Sequence, residues 1–253
     1  MIAPRPGPPS DTGTRICIRR RRYAPAVDLV VAAAFAVGLA YLGGSVSFPF
    51  LIARARGVDL RRAGSRKLGG SNLAATVGLG AGVAGGLLDA AKGPAAVLLP
   101  HAFGLPPAVG LACGIAAVCG QAWPVFHRFD GGRANATGWG QALAVDPIAF
   151  AIMMLPLVAA LGLRRLSDPP SSRLLPLAAL LSFGVFPAVI WEQDGATPAV
   201  LAGLVVLGLI VIRRLTAGLT EDLATGAPAG RILINRLLFD RSELQERGVV
   251  GMS

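Results

Sequence analysis

From residue 27 onward the chain alternates long apolar runs with short polar, basic segments. Six apolar runs lie at about 27–50, 73–100, 105–126, 147–163, 174–191 and 197–212, each near the length an α-helix needs to cross a bilayer. A shorter piece, 134–145, stops at Asp146-Pro147, where proline breaks a helix. It reads as a half-helix or re-entrant segment, which is tolerable at membrane depth only where protein or water satisfies its backbone. The expectation is an all-α, polytopic membrane bundle of about seven helices, some of them short or broken. Residues 1–26 read as a disordered basic tail, 27–215 as the membrane domain and 216–253 as a cytoplasmic C-terminal tail. Within that tail Arg231–Phe239 mixes apolar and basic residues and suits either a helix lying on the membrane surface or a disordered stretch.

Composition narrows the class. Hydrophobic residues make up 53% of the 253 and charged residues only 15%, against about 25% charged in soluble domains. Mean hydropathy is +0.61. No basic face with interleaved aromatics is visible, so nucleic acid is not an expected partner. The three cysteines, Cys17, Cys113 and Cys119, have neither metal nor disulfide spacing. Gly80-x-Gly82-x-x-Gly85 matches a dinucleotide fingerprint, but that fingerprint requires a strand before it. Gly78, Gly82 and Gly86, four apart, read instead as helix-packing positions.

The net charge of +10 is first a topology signal. Short loops carry Arg54, Arg56, Arg61, Arg62, Arg66 and Lys67, then Arg128 and Arg133, then Arg213 and Arg214. The positive-inside rule puts all three groups in the cytoplasm. That arrangement requires an even number of crossings between Arg133 and Arg213, and therefore that 134–145 complete a fourth. The run Arg19–Arg22 then falls outside. It also resembles the start of a signal peptide, but without a clean cleavage site, and retention as a membrane anchor is expected.

Four segments carry candidate chemistry. Gly44-Ser-Val-Ser-Phe-Pro-Phe-Leu-Ile-Ala-Arg54 ends the first span, and Asp59 to Asn72 supplies four basic residues, three glycines and several hydroxyls. Such a loop suits a cavity for an anionic head group, although Ser45 alone would suit helix packing. Asp89 and Lys92, three apart on one helix face inside an apolar span, are either a packing ion pair or an anion-binding lysine oriented by its aspartate. Asp130-Gly131-Gly132-Arg133 combines a flexible turn with a guanidinium suited to phosphate. Thr137 or Asn135 would cap the helix that follows. His101 and His127 have no evident partner, so neither a Ser-His-Asp triad nor a metal site is indicated.

Taken in order, these blocks resemble the bacterial membrane glycerol-3-phosphate acyltransferase family that uses acyl-phosphate as donor. The likeness covers about residues 41–145, and the apolar layout continues to Leu215. It implies a seven-helix bacterial plasma-membrane protein, with its site facing the cytoplasm, that transfers a fatty acyl group to the 1-hydroxyl of glycerol 3-phosphate. The product would be lysophosphatidic acid, for phospholipid synthesis. The implied partners are acyl-phosphate, glycerol 3-phosphate and membrane lipid, with neither metal nor other cofactor.

By position, Ser45, Arg61 and Lys92 match the family's catalytic residues. Gly64, Ser65, Gly69, Asn72, Gly131, Gly132 and Arg133 match its phosphate-binding groups, and Asp89 belongs with Lys92. Catalysis would rest on positioning and on neutralising the leaving phosphate, and the substrate's own phosphate would serve as base. Departures are Lys67 for an asparagine, Ser47 for a proline, Gln121 for a histidine, and Gly208 and Val211 for a histidine and an asparagine. A family glutamate is recovered only by a one-residue shift, at Glu221. Two other readings follow from these losses: an impaired paralogue that binds phosphorylated lipid precursors, or a small membrane transporter.

Overall fold

The computed structural model describes residues 26–166 and 174–240. The basic N-terminal tail, apart from Ala26, and everything after Asp240 lie outside the described residues. The regular structure of the described chain is all helical, from α1 (Ala26–Ser45), α2 (Phe48–Ala55), α3 (Gly70–Thr76) and α4 (Leu79–Ala102) to α5 (Pro107–Ala122). A single 3-10 turn, Val125–His127, precedes α6 (Asn135–Val145), α7 (Pro147–Met153) and α8 (Leu155–Leu166). Then come α9 (Leu174–Asp194), α10 (Pro198–Thr216), α11 (Leu219–Leu223) and α12 (Ala229–Phe239). Six segments are long and apolar enough to cross a membrane: Val27–Ala55, Leu79–Ala102, Pro107–His127, Pro147–Leu166, Leu174–Asp194 and Pro198–Thr216. Their outer faces leave residues such as Phe35, Leu79, Leu87, Val158 and Leu201 exposed, as a bundle surrounded by lipid requires.

Two helix breaks shape the bundle. The first apolar run stops at Ser45 and restarts at Phe48, where the Ser47 hydroxyl caps α2 by accepting from Phe50 N at 3.3 Å. The second follows α6, where Asp146 ends one helix and caps the next by accepting from Ala149 N at 2.8 Å. Pro147 sits in the first turn of α7, where its missing donor costs nothing.

Close crossings rest on glycine. A Cβ on Gly44 would overlap the Ala117 backbone, and one on Gly120 would overlap Tyr41 O, so α1 and α5 touch main chain to main chain. Gly93 of α4 and Gly140 of α6 do the same. Pro94 lies inside α4 and leaves the Ala90 carbonyl without its helical donor. The Gly140 backbone lies against that carbonyl. Gly82 meets Ala74 of α3, and Gly82 and Gly86 lie against Gly70, so these two are packing positions, whereas Gly78 has open space beside it and caps α4 at φ +133°. A separate core joins the second half of the bundle through Val118, Ala142, Met153, Phe183, Ile190 and Ile210.

Arg213, near the end of α10, donates to the carbonyls of Gly131 and Gly132 ahead of α6. The four segments between, α6, α7–α8, α9 and α10, therefore return the chain to the end it left. The charge pattern assigns the fourth crossing to α6, which at 11 residues is not among the six segments long enough to span.

Candidate active site

The break between α1 and α2 is held by one ammonium group. Lys92 Nζ donates to Gly44 O at 3.1 Å and to Val46 O at 2.8 Å, the carbonyls on either side of Ser45. It pairs with Asp89 at 2.9 Å, and both side chains are buried. Gln121 completes this group: its Oε1 accepts from Lys92, and its Nε2 donates to Asp89 Oδ2 at 2.9 Å. Asp89 Oδ1 also receives Phe48 N at 3.4 Å, the first amide of α2. Burying a charge in hydrocarbon is tolerable only when it is paired and hydrogen-bonded, and both conditions are met.

Ser45 is fully buried; its hydroxyl donates to Tyr41 O at 2.9 Å and faces Val125 N at 3.4 Å. Gln121 O accepts from Gly132 N at 3.2 Å. The end of α5 thus ties together three of the expected blocks: the Ser45 break, the Asp89–Lys92 pair and the Gly131-Gly132-Arg133 turn.

In that turn the glycines act differently from expectation. Positive φ falls on Arg128, Phe129 and Ala134, not on Gly131 or Gly132. Both glycines are required for space, since a Cβ on Gly131 would strike Gln121 O and Pro124, and one on Gly132 would strike Leu68 O. The expected cap of α6 is also replaced. Ala134 occupies the cap position without a side-chain bond, while Thr137 donates to Asp89 O at 3.0 Å. Asn135 Oδ1 is buried without a partner.

The loop from Asp59 to Gly69 is folded around Asn72. Its amide nitrogen reaches Leu60 O, Ala63 O and Lys67 O at 3.1–3.3 Å, and its oxygen accepts from Ser65 N at 2.9 Å. The side chain is saturated by backbone, so Asn72 positions the loop and has no donor left for a ligand. Gly64 has φ +55°, and a Cβ there would meet Asn72 Oδ1. Gly69 is extended and precedes α3. Arg61 stands apart: it is half-exposed, paired with Asp59 at 3.1 Å, and lies 5.0 Å from the Phe50 ring centre. Arg61 holds the Asp59 carboxyl below its ordinary range.

A cationic cluster joins this loop to the Arg133 turn. Arg133 Nε meets Asp240 Oδ1 at 2.5 Å, and Lys67 Nζ meets Asp240 Oδ2 and its carbonyl, both at 2.9 Å. Arg213 binds Asp130 at 2.7 Å as well as the two glycine carbonyls. Arg214 donates to Pro176 O and Leu237 O and leaves its Nε buried and unpartnered. Asp240 came from no motif; it is 107 residues from Arg133 and 173 from Lys67. Sequence alone read Gln121 only as a departure and Arg213 only as a topology marker. Gly208 has open space beside it on α10. Glu221 is exposed, whereas its neighbour Asp222 is buried and paired with Arg236 at 2.5 Å.

Beside the Lys92 group lies a cavity of about 690 Å³ between α1, α4 and α5. Among the described residues Lys92 is the one charged residue in its lining; the rest runs along Leu39, Phe35, Ala96 and Leu99 to Phe103 at the far end of α4. A bundle of six apolar segments of spanning length, with a buried ion pair beside an apolar groove, defines an integral membrane protein. A family model described as glycerol-3-phosphate acyltransferase matches residues 34–220. Glycerol-3-phosphate acyltransferase 5 of Dehalococcoides mccartyi is 32% identical over 211 residues, which is 83% of this chain and 88% of that protein. The glycerol-3-phosphate acyltransferase of Rubrobacter xylanophilus is 40% identical over 160 residues, 62% of this chain and 80% of its own. A crystal structure of PlsY, an integral membrane glycerol 3-phosphate acyltransferase, in its glycerol 3-phosphate form, has a TM-score of 0.65 and 30% identity. It aligns with 77% of this chain and 93% of its own. The chain belongs to the glycerol-3-phosphate acyltransferase family.

Proposed function

We propose that this protein transfers a fatty acyl group from acyl-phosphate to the 1-hydroxyl of glycerol 3-phosphate, at the cytoplasmic face of the membrane. The observation that carries the donor is the apolar groove ending at Lys92. Between Lys92 and Phe103 α4 rises about 16 Å, room for most of an extended fatty chain. The acyl tail lies in the groove, which places its carbonyl carbon and phosphate near Lys92, Ser45 and the α1–α2 break.

The acceptor's phosphate is assigned to the cations of the 59–72 loop and the Arg133 turn, and its 1-hydroxyl points at the donor's carbonyl. The hydroxyl oxygen forms a bond to that carbon, the bond from carbon to the phosphate oxygen breaks, and inorganic phosphate leaves. The hydroxyl proton passes to a phosphate oxygen, so no protein base is needed. Lys92, with Asp89 and Gln121 fixing it, offsets the charge that develops on the leaving phosphate. Arg61 is assigned to this site as a substrate-contacting group, and Ser45, buried and bonded to Tyr41 O, as a positioning residue of the α1–α2 break. Arg61 must then release Asp59, an exposed pairing that costs little to break.

The test is lysophosphatidic acid formation by purified protein given palmitoyl-phosphate and radiolabelled glycerol 3-phosphate. Product that is lost in Lys92→Ala supports the reading. Binding of both substrates without release of phosphate would make the chain an impaired paralogue instead.

A further inference from the structure

The Arg133–Lys67 site already holds an anion. Its occupant is the carboxylate of Asp240, 2.5 Å from Arg133 and 2.9 Å from Lys67. That residue lies 20 positions beyond the last residue of the family match, 240 against 220. It is delivered by a built support rather than by a loose end. The Asp222–Arg236 pair is buried, and Arg236 also donates to Gly218 O at 2.6 Å and to Ala217 O, which fixes α12 to the turn after α10. Arg214 holds the end of α12 through Leu237 O at 3.1 Å. Asp240 itself is the C-cap of α12, in the left-handed region at φ +50°.

Among the described residues the charges around it do not balance. Lys67, Arg133, Arg213 and Arg214 contribute four positive charges, against one each from Asp240 and Asp130. The surplus of two equals the charge of a phosphate monoester dianion. One donor, Arg214 Nε, is buried with nothing to bond. A carboxylate half-fills a site of this kind; a phosphate group, with more charge and a third oxygen, binds such a cluster more strongly.

We infer that Asp240 is a resident stand-in for the acceptor's phosphate, which glycerol 3-phosphate must displace from Lys67 and Arg133. Asp240 thereby sets the acceptor's affinity and excludes weaker anions, such as simple carboxylates, from the site. The inference rests on the acceptor-site assignment made above. Lys67, where the family resemblance has asparagine, becomes a phosphate ligand in its own right.

Asp240→Asn keeps the shape and removes the charge. In the full-length protein it lowers the KM for glycerol 3-phosphate by about tenfold, with the KM for palmitoyl-phosphate unmoved. Asp240→Glu, which keeps the carboxylate, stays near the wild-type value. An unchanged or higher acceptor KM in Asp240→Asn would overturn the inference, since a purely structural carboxylate has no reason to compete. Calorimetric binding of glycerol 3-phosphate separates this result from the acyltransfer reading. If no lysophosphatidic acid forms but Asp240→Asn binds glycerol 3-phosphate more tightly, the stand-in role holds and the reaction assignment fails. Equal or weaker binding by a variant that keeps its thermal stability removes the stand-in role whatever the reaction.

Discussion

A neutral imidazole carries one donor and one acceptor, and a glutamine amide also offers both kinds of group, an NH2 that donates and a carbonyl oxygen that accepts. This explains how Gln121 can stand where the family pattern has histidine. The position must give a hydrogen bond to Asp89 and accept one from Lys92, and Gln121 does both. Gln121→His should therefore retain activity, whereas Gln121→Leu leaves two buried polar groups short of a partner. We expect Gln121→Leu to cost about 1–3 kcal/mol of stability and roughly tenfold in turnover, read by thermal unfolding and product formation. Lys92→Ala leaves Asp89 buried and unpaired and should lower kcat/KM by about 100-fold or more. Lys67 supplies a pH signature. Burial, with Arg133 adding to it, lowers its pKa to about 8 despite Asp240. The ammonium is charged below that value and lost above it. The KM for glycerol 3-phosphate should thus rise as pH passes through about 8, and Lys67→Arg should abolish that rise, because arginine stays charged.

At the scale of elements, the apolar runs were legible because a membrane span needs only length and composition. α6 was legible as short and broken from Asp146-Pro147. Its packing was not, since Gly140 on the Ala90 carbonyl depends on a proline 46 residues earlier in another helix. Asn72 matched a phosphate-binding pattern, yet its partners are the carbonyls of Leu60, Ala63 and Lys67, which no residue pattern displays. Asp240 was invisible for a similar reason: a lone acid at a helix end has no motif, and only the fold brings it to Arg133. The crossing of α4 and α6 gives a direct test. Gly140→Ala places a methyl against main chain that cannot yield, so we expect a loss of about 1–3 kcal/mol, measured as a lower unfolding temperature in detergent. Gly208→Ala, with open space beside it, should be neutral or slightly stabilising, as alanine favours helix.

For the molecule as a whole, the groove and the charge pattern make separate predictions. Ala96 lines the groove between Lys92 and Phe103, and Ala96→Phe should shift preference toward shorter acyl chains. Each methylene kept out costs about 0.8 kcal/mol, close to fourfold in affinity. Competition between acyl-phosphates of different length reads this shift. Asp130 is 84% exposed at the end of the bundle that carries the cations. A cysteine placed there should react with a membrane-impermeant thiol reagent only when the reagent has access to the cytoplasmic side.

The Lys92 group also bears on how the bundle is assembled. Of the six spans, α4 is the least apolar, and it carries an ion pair whose remaining partners all belong to the α1–α2 break and α5. Released alone into lipid, that pair would have no carbonyls and no glutamine to satisfy it. α4 is therefore a poor candidate for independent insertion during synthesis. It should dwell at the translocon until α5 emerges, 28 residues after the start of α4, and enter the bilayer as part of a group with α1 already in place. Substituting leucine for both Asp89 and Lys92 would free the helix to insert by itself, while removing the group that holds the α1–α2 break.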